Sequence, residues 1–193
     1  VFAGMVPWFF FAGALGDASN SLVTNANLLT KVYFPRLLLP LAAVSVPLVD
    51  LLIGLAILFA LMWLHGYPPT WRVLTLPFFI GLAFLAALGL GLWFSALNVK
   101  YRDFQFIVPF VLQIGLYASP IGYGTSVIPP SWIMVYDLNP MVAVIDGFRW
   151  ALIGGSFTVR PMAMAMALAI TSAVVFSGTW FFRRTERAFA DVI

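Results

Sequence analysis

Four long apolar runs, residues 41–64, 73–97, 104–124 and 162–182, decide what this 193-residue chain can become. Each supplies roughly the 20 residues that a helix needs to cross the hydrocarbon core of a bilayer. Lipid gives bare backbone no hydrogen-bond partner, so each run must be helical unless the chain closes into a barrel. Barrel strands read as alternating segments of about ten residues, and these runs do not alternate. Composition agrees: 63% of residues are hydrophobic and 9% charged, where a soluble domain carries about 25% charge. The sequence predicts an all-α integral membrane protein, a polytopic helical bundle forming a single domain over residues 1–193.

Residues 1–15 form a further apolar segment, which brings the expected crossings to five. The loops on one side, 16–40, 98–103 and the tail from 183, hold Lys31, Arg36, Lys100, Arg102, Arg183, Arg184 and Arg187. The other side holds Arg72, Arg149 and Arg160. Basic residues favour the cytoplasmic side, so the C-terminus is expected there. Val1 is not an initiator methionine and no basic leader precedes the apolar run. The chain therefore reads as a fragment missing its natural start, most simply by one crossing.

Several chemistries have no residues to carry them. There is no cysteine for a disulfide, thiolate nucleophile or thiolate metal site, and the single histidine, His65, cannot build a metal cluster. No Gly-x-x-x-x-Gly-Lys-Ser/Thr element is present to cradle nucleotide phosphates, and no His-Glu-x-x-His occurs. No catalytic residue, metal ligand or cofactor of its own is expected. Topology explains the basic clusters, which removes the case for nucleic-acid binding.

The stretch 27–40 is too polar to cross a bilayer, yet Tyr33 and Phe34 need a surface to lie against. Together with Lys31, Pro35 and Arg36 it suits a membrane face or a docked partner. The turn Lys100-Tyr101-Arg102-Asp103 is either ordinary anchoring or a second contact with the same partner. Within the first long run, Asp50 is costly at membrane depth, so it is expected to face the bundle interior or a wet cavity. The simpler reading is pairing with a neighbouring helix, with no second intramembrane acid beside it. Ala83, Ala87, Gly91 and Ser95 lie four apart and form a stripe that lets another helix approach; Ala165, Ala169, Ala173 and Ser177 form a second.

Phe106, Phe110, Gln113 and Tyr117 are spaced four, three and four, which puts them on one helical face. That face suits a wet channel, where rings stack on sugars, or a helix seam with one bonded Gln. The aromatic block at Trp8 and Phe11 is either lipid-facing bulk or channel lining. Pro109 and Pro120 are expected to kink or end the 104–124 helix. In 125–161, Trp132 follows a Pro-Pro turn, Asn139 is a candidate helix cap before Pro140, and Asp146 and Arg149 are positioned to pair on a helix surface. Two short helices returning to one side describe an outer re-entrant hairpin, either a gate or a surface cap.

Read in order, these blocks resemble the permeases of ABC transporters that export polysaccharide or polyol phosphate, the O-antigen, capsule and teichoic-acid exporters. The resemblance rests on Ser21-Leu22-Val23 with Asn27-Leu28, Lys31-Val32-Tyr33-Phe34-Pro35-Arg36, and Ala96 through Asp103. It continues in Leu138-Asn139-Pro140-Met141, Gly147-Phe148-Arg149-Trp150-Ala151-Leu152 and the tail from Phe182. Leu37 departs from the pattern, which often places an acidic residue there. The resemblance implies six helices per intact subunit, a permease homodimer in the bacterial cytoplasmic membrane, and two ATP-binding subunits that use ATP and Mg. Asn27, Lys31, Tyr33, Phe34, Pro35, Arg36 and residues 100–103 would couple to those motors. Trp8, Phe11 and the 106–117 face would line the channel for a lipid-linked glycan, and Trp132, Asn139, Pro140, Asp146 and Arg149 would form its gate. Two rival readings are an ABC permease for a drug, lipid or other small amphiphile, and a membrane-embedded glycosyl- or acyltransferase.

Overall fold

The computed structural model describes the chain apart from residues 32, 33, 68, 102, 155, 156 and 187–193, and apart from the side chains of 29–31 and 126. Tyr33, Arg102, the Lys31 side chain and the tail from Arg187 therefore lie outside the described residues. The described elements are helical: α1 (Phe2–Thr24), α2 (Ala26–Lys31), α3 (Leu38–Ser45), α4 (Pro47–Leu64), α5 (Leu76–Lys100), α6 (Phe104–Ala118), α7 (Pro130–Asp137), α8 (Pro140–Leu152) and α9 (Pro161–Thr185). Short 3-10 turns at Trp71–Thr75 and Thr125–Val127 complete them.

Three stretches are long and apolar enough to cross a membrane: Leu38–Leu64, Trp71–Lys100 and Pro161–Thr185, of 27, 30 and 25 residues. The first joins α3 to α4 at Pro47, whose missing N–H cannot continue the helical ladder. Outward-facing Leu52, Ile53 and Ile57 on α4 and Leu168, Phe176 and Trp180 on α9 leave an apolar exterior that only lipid or another membrane chain can cover. This is a multi-pass membrane protein. The 104–124 run does not form one full-length crossing helix. Only the 15 residues of α6 are helical, about 22 Å, and the helix stops at Ala118 with Pro120 just beyond.

Helix α1 is the hub, packed most extensively on α5 and also on α3, α4, α6 and α8. The seam with α5 is the small-residue stripe that the sequence marks: Ala83, Ala87, Gly91 and Ser95 are all buried. A Cβ at Gly91 would sit 2.6 Å from that of Ala18, so only glycine permits this approach. On α9 the expected stripe is in the wrong register. Ala165, Ala169 and Ala173 face outward and of that stripe Ser177 alone meets α5, accepting from the Trp93 indole at 3.2 Å, while Ala163, Ala167, Thr171, Gly178 and Phe182 are buried. The reason is a backbone contact: a Cβ at Gly178 would lie 2.5 Å from the Gly89 carbonyl oxygen, and one at Gly89 would lie 2.8 Å from the Val175 nitrogen. The two glycines set the register, and Trp93 stacking on Phe181 with ring centres 4.1 Å apart holds it.

Candidate functional site

At the end that carries α2, an apolar cluster ties four helices together. Leu22 of α1, Leu92, Ala96 and Val99 of α5 and Phe182 of α9 are buried, with Leu37 and Leu39 at the start of α3 packed on them. The Asn98 side chain donates to the Ser19 carbonyl at 2.8 Å, fastening α5 to α1 just above this cluster. Arg36 donates to the carbonyl of Glu186, so the stretch after α2 is tied to the end of α9. Around this hub, Asn27, Pro35, Lys100, Tyr101 and Asp103 are exposed, as are Arg183 and Arg184. The structure thus brings Asn27, Pro35, Arg36, Lys100, Tyr101, Asp103 and the C-terminal end of α9 to one end of the bundle.

Phe106, Phe110, Gln113 and Tyr117 share one face of α6, as their spacing requires, and all four are exposed. The rings are 70%, 63% and 74% exposed for Phe106, Phe110 and Tyr117. Trp8 and Phe11 do not join them, which corrects the expectation for these two residues. Trp8 is 4% exposed and fills the space over Gly115, where a Cβ would meet its ring at 2.7 Å. Both rings wedge α1 against the bundle and reach no open face. Beyond the C-terminal end of α6, and touching it through Ala118, is a cleft of about 740 Å³ lined by Tyr123, Ile128, Trp132, Tyr136 and Asn139. The Tyr123 hydroxyl donates to the Tyr117 carbonyl at 3.2 Å and lies 3.2 Å from the Tyr136 hydroxyl. Burial, aided by the Tyr136 hydrogen bond, pushes the Tyr123 phenol up to about 12, so it stays a neutral donor and acceptor.

The expected outer hairpin is present as α7 and α8. Asn139 caps α8 as its sequence suggests, accepting from the Met141 amide at 3.0 Å and donating to the Ser119 hydroxyl at 2.9 Å. Pro140 takes the first helical position, where its missing N–H costs nothing. Trp132 remains exposed on α7. Helix α8 is not a surface helix, however; apart from Pro140 and Trp150 its residues are buried among α1, α5 and α9.

That burial overturns the expected Asp146–Arg149 pair. Arg149 turns away and donates to the Ile121 and Tyr123 carbonyls at 2.7 and 2.8 Å, pinning the segment after α6. The ion pair at this end joins Arg160 to Asp137 instead, in a two-pronged contact at 2.6 and 3.0 Å. Residues 137 and 160 are too far apart in sequence for any helical spacing to reveal the pair. The isolation of Asp50 is also corrected. Asp17 stays within α1, and both carboxylates line one groove between α1 and α4, of about 260 Å³. Among the described residues no three carboxylates or histidines converge to hold a metal ion.

Comparison with known proteins sets this geometry in context. The O-antigen export system permease protein RfbA of Myxococcus xanthus is 28% identical over 195 residues, spanning 100% of this chain and 75% of that protein. Two proteins of the same description from Klebsiella pneumoniae are 26% and 25% identical, each over 98% of this chain and 73% of their own length. The family model for ABC-2 type transporters matches residues 1–153, which takes in everything from the α1 hub to the end of α8. On that match the chain belongs to the ABC-2 type transporter family.

Proposed function

We propose that this chain is the membrane-spanning permease subunit of an ATP-driven exporter that moves a polysaccharide or lipid-linked glycan of O-antigen type out across the bacterial cytoplasmic membrane. The observation that carries the reading is the outward face of α6. Phe106, Phe110, Gln113 and Tyr117 form an exposed aromatic face with one amide, and a cleft walled by Tyr123, Trp132 and Tyr136 lies beyond the end of the same helix. Rings of this kind stack on the apolar faces of sugars, while Gln and Tyr polar groups meet hydroxyls. An O-antigen export name on relatives that align with nearly all of this chain supports the same substrate class. A drug or lipid exporter would share the family but has less use for an extended aromatic track.

In this reading α1 and α6 add two crossings to the three long spans, with the C-terminus cytoplasmic. Two copies face each other through membrane-exposed surfaces, and the α6 tracks line the path between them. Energy comes from two ATP-binding subunits that carry the nucleotide and Mg. They grip Asn27, Lys31, Tyr33, Phe34, Pro35, Arg36 and the turn 100–103. Because the cluster of Leu22, Val99 and Phe182 locks α1, α5 and α9 at that end, a push there moves the helices as one body. The hairpin with Trp132, Asn139 and Pro140 gates the outer mouth.

The test is a strain deleted for the gene and complemented with the full-length wild-type form or with F110A/Y117A. Wild type should restore the surface glycan, and the double variant should fail although it reaches the membrane in equal amount. Normal surface glycan in the uncomplemented deletion strain would refute the reading.

A further inference from the structure

The turn between two membrane spans carries an arginine whose hydrogen-bonding groups are unused. The span Leu38–Leu64 ends shortly before it and the span Trp71–Lys100 begins with it, so the 3-10 turn Trp71–Thr75 lies at the membrane boundary. Val73 packs on the core and anchors the turn, and the Thr75 hydroxyl donates to the Arg72 carbonyl at 2.7 Å. The Arg72 guanidinium lies over the Trp150 ring, 5.2 Å from its centre, within the range of a cation–π contact. It also passes so close to Gly154 that a Cβ there would sit 2.8 Å from Nη1, and the positive φ of that residue favours glycine as well. Arg36, Arg149 and Arg160 give their N–H groups to carbonyls or a carboxylate. Among the described residues the Arg72 guanidinium has no such acceptor and no ion pair. It is half-buried, and its nitrogens are not sealed from outside as Arg160 Nε is. Beside it, Trp71 is 72% and Leu74 82% exposed. Residues three apart eclipse in a 3-10 turn, so these two side chains project from one face.

We propose that Arg72, Trp71 and Leu74 bind one anionic phospholipid, the guanidinium holding the headgroup phosphate and the Trp71–Leu74 face lying along an acyl chain. Charge complementarity selects the headgroup. A planar guanidinium offers parallel N–H groups to two phosphate oxygens, and at the boundary of a bilayer phosphate is the acceptor within reach. A zwitterionic headgroup would bring an ammonium toward a guanidinium that no carboxylate pairs with, and an anionic one does not. Ordinary anchoring at the membrane surface differs in a way that can be measured. A snorkelling side chain moves freely and needs only its charge. Stacking on Trp150 and the fit over Gly154 instead hold the guanidinium in one place and depend on its shape. The inference needs only a membrane protein and holds whatever cargo is exported.

The experiment uses the full-length protein purified in detergent and counts bound lipid by native mass spectrometry. The probes are dioleoyl phosphatidylglycerol and dioleoyl phosphatidylcholine. Wild type should hold phosphatidylglycerol about tenfold more tightly than phosphatidylcholine, the difference that one charge-assisted hydrogen bond makes. R72Q should erase that preference, and R72K, which keeps the charge but not the stacked planar group, should lose most of it. W71A/L74A should weaken binding of both lipids. If R72Q lowers the melting temperature, W71A/L74A decides: both residues are exposed, and undiminished lipid binding in that variant overturns the site. No preference in wild type overturns it too. R72K equal to wild type, or a loss in R72Q no larger than in R183Q at the opposite end of the bundle, would reveal a general positive belt and overturn the site. Millimolar inorganic phosphate, which has no acyl chain, should leave the lipid bound; displacement by it would overturn the lipid assignment.

Discussion

The two ends of the bundle use charge in opposite ways. At the outer end Asp137, Asp146 and Arg149 are buried, and they hold loops and helices in place from within. At the end that carries α2, Lys100, Asp103, Arg183 and Arg184 stay on the surface, and packing of Leu22, Val99 and Phe182 does the holding together with the Arg36 bond to the Glu186 carbonyl. Buried charge is costly to desolvate and tolerates few geometries, so it fixes one arrangement. The exposed charges make looser contacts, Lys100 over the Tyr101 ring at 5.3 Å and Arg184 over the Trp180 ring at 5.4 Å.

The sharpest way to break the comparison is Arg149→Met. It removes two charge-assisted hydrogen bonds to the carbonyls of Ile121 and Tyr123 while keeping most of the side-chain volume. The expected loss is roughly 3 kcal/mol, since bonds to charged groups contribute about 1.5–3 kcal/mol each and part is recovered by relaxation. Thermal unfolding in detergent measures it. Lys100→Met at the α2 end should shift the same curve by less than about 0.5 kcal/mol, as an exposed position does.

A smaller effect is expected from pH. Asp146 has a folded value of about 6, above the ordinary aspartate value of about 3.9, so the folded state holds the extra proton between the two. Stability should therefore fall as pH rises from about 4 to about 6 and level off above that. D146N should flatten that part of the profile, measured as melting temperature against pH. Burial is the main cause of the raised value, and the groups whose charge or hydrogen bond acts on the carboxyl, Thr125, Arg160, Arg149 and Asp137, remain in the variant.

What the sequence could show follows the same division. Three of the long membrane helices, the α5 stripe, the Asn139 cap and the α6 face are local patterns, written within one element, and they appear where the spacing puts them. The outer charges were illegible for a physical reason. The i, i+3 spacing of Asp146 and Arg149 describes neighbours on a solvated helix, but α8 is buried, and Arg149 reaches carbonyls from another segment instead. The Asp137–Arg160 pair exists only after α7 and α9 have packed. Likewise the Met/Ala alternation at the start of α9 offers two small-residue registers, and only Gly89 on the facing helix selects between them. Trp8 reads as a channel aromatic until Gly115 is seen opposite it.

At the α2 end, Asn98→Leu removes the hydrogen bond to the Ser19 carbonyl and leaves the surrounding apolar packing in place. Interhelical bonds of this type average about 0.6 kcal/mol in membranes, so the loss should stay below about 1 kcal/mol. A double-mutant comparison with Arg149→Met should be additive, because the two sites lie at opposite ends of the bundle. Coupling between them would show that the ends are not independent.

The least stability change of all is expected on α6, where the comparison can be turned toward transport. Phe110 and Tyr117 are exposed, so F110A and Y117A should leave the melting curve within about 0.5 kcal/mol of wild type. Export should nevertheless drop, because each removes a ring from the track. Y117F separates ring from hydroxyl: it should keep export near wild type if stacking is what the glycan uses. Should Y117F fail as badly as Y117A, the phenol and not the ring would be the working group. The track would then be a hydrogen-bonding ladder, with Gln113 its next rung.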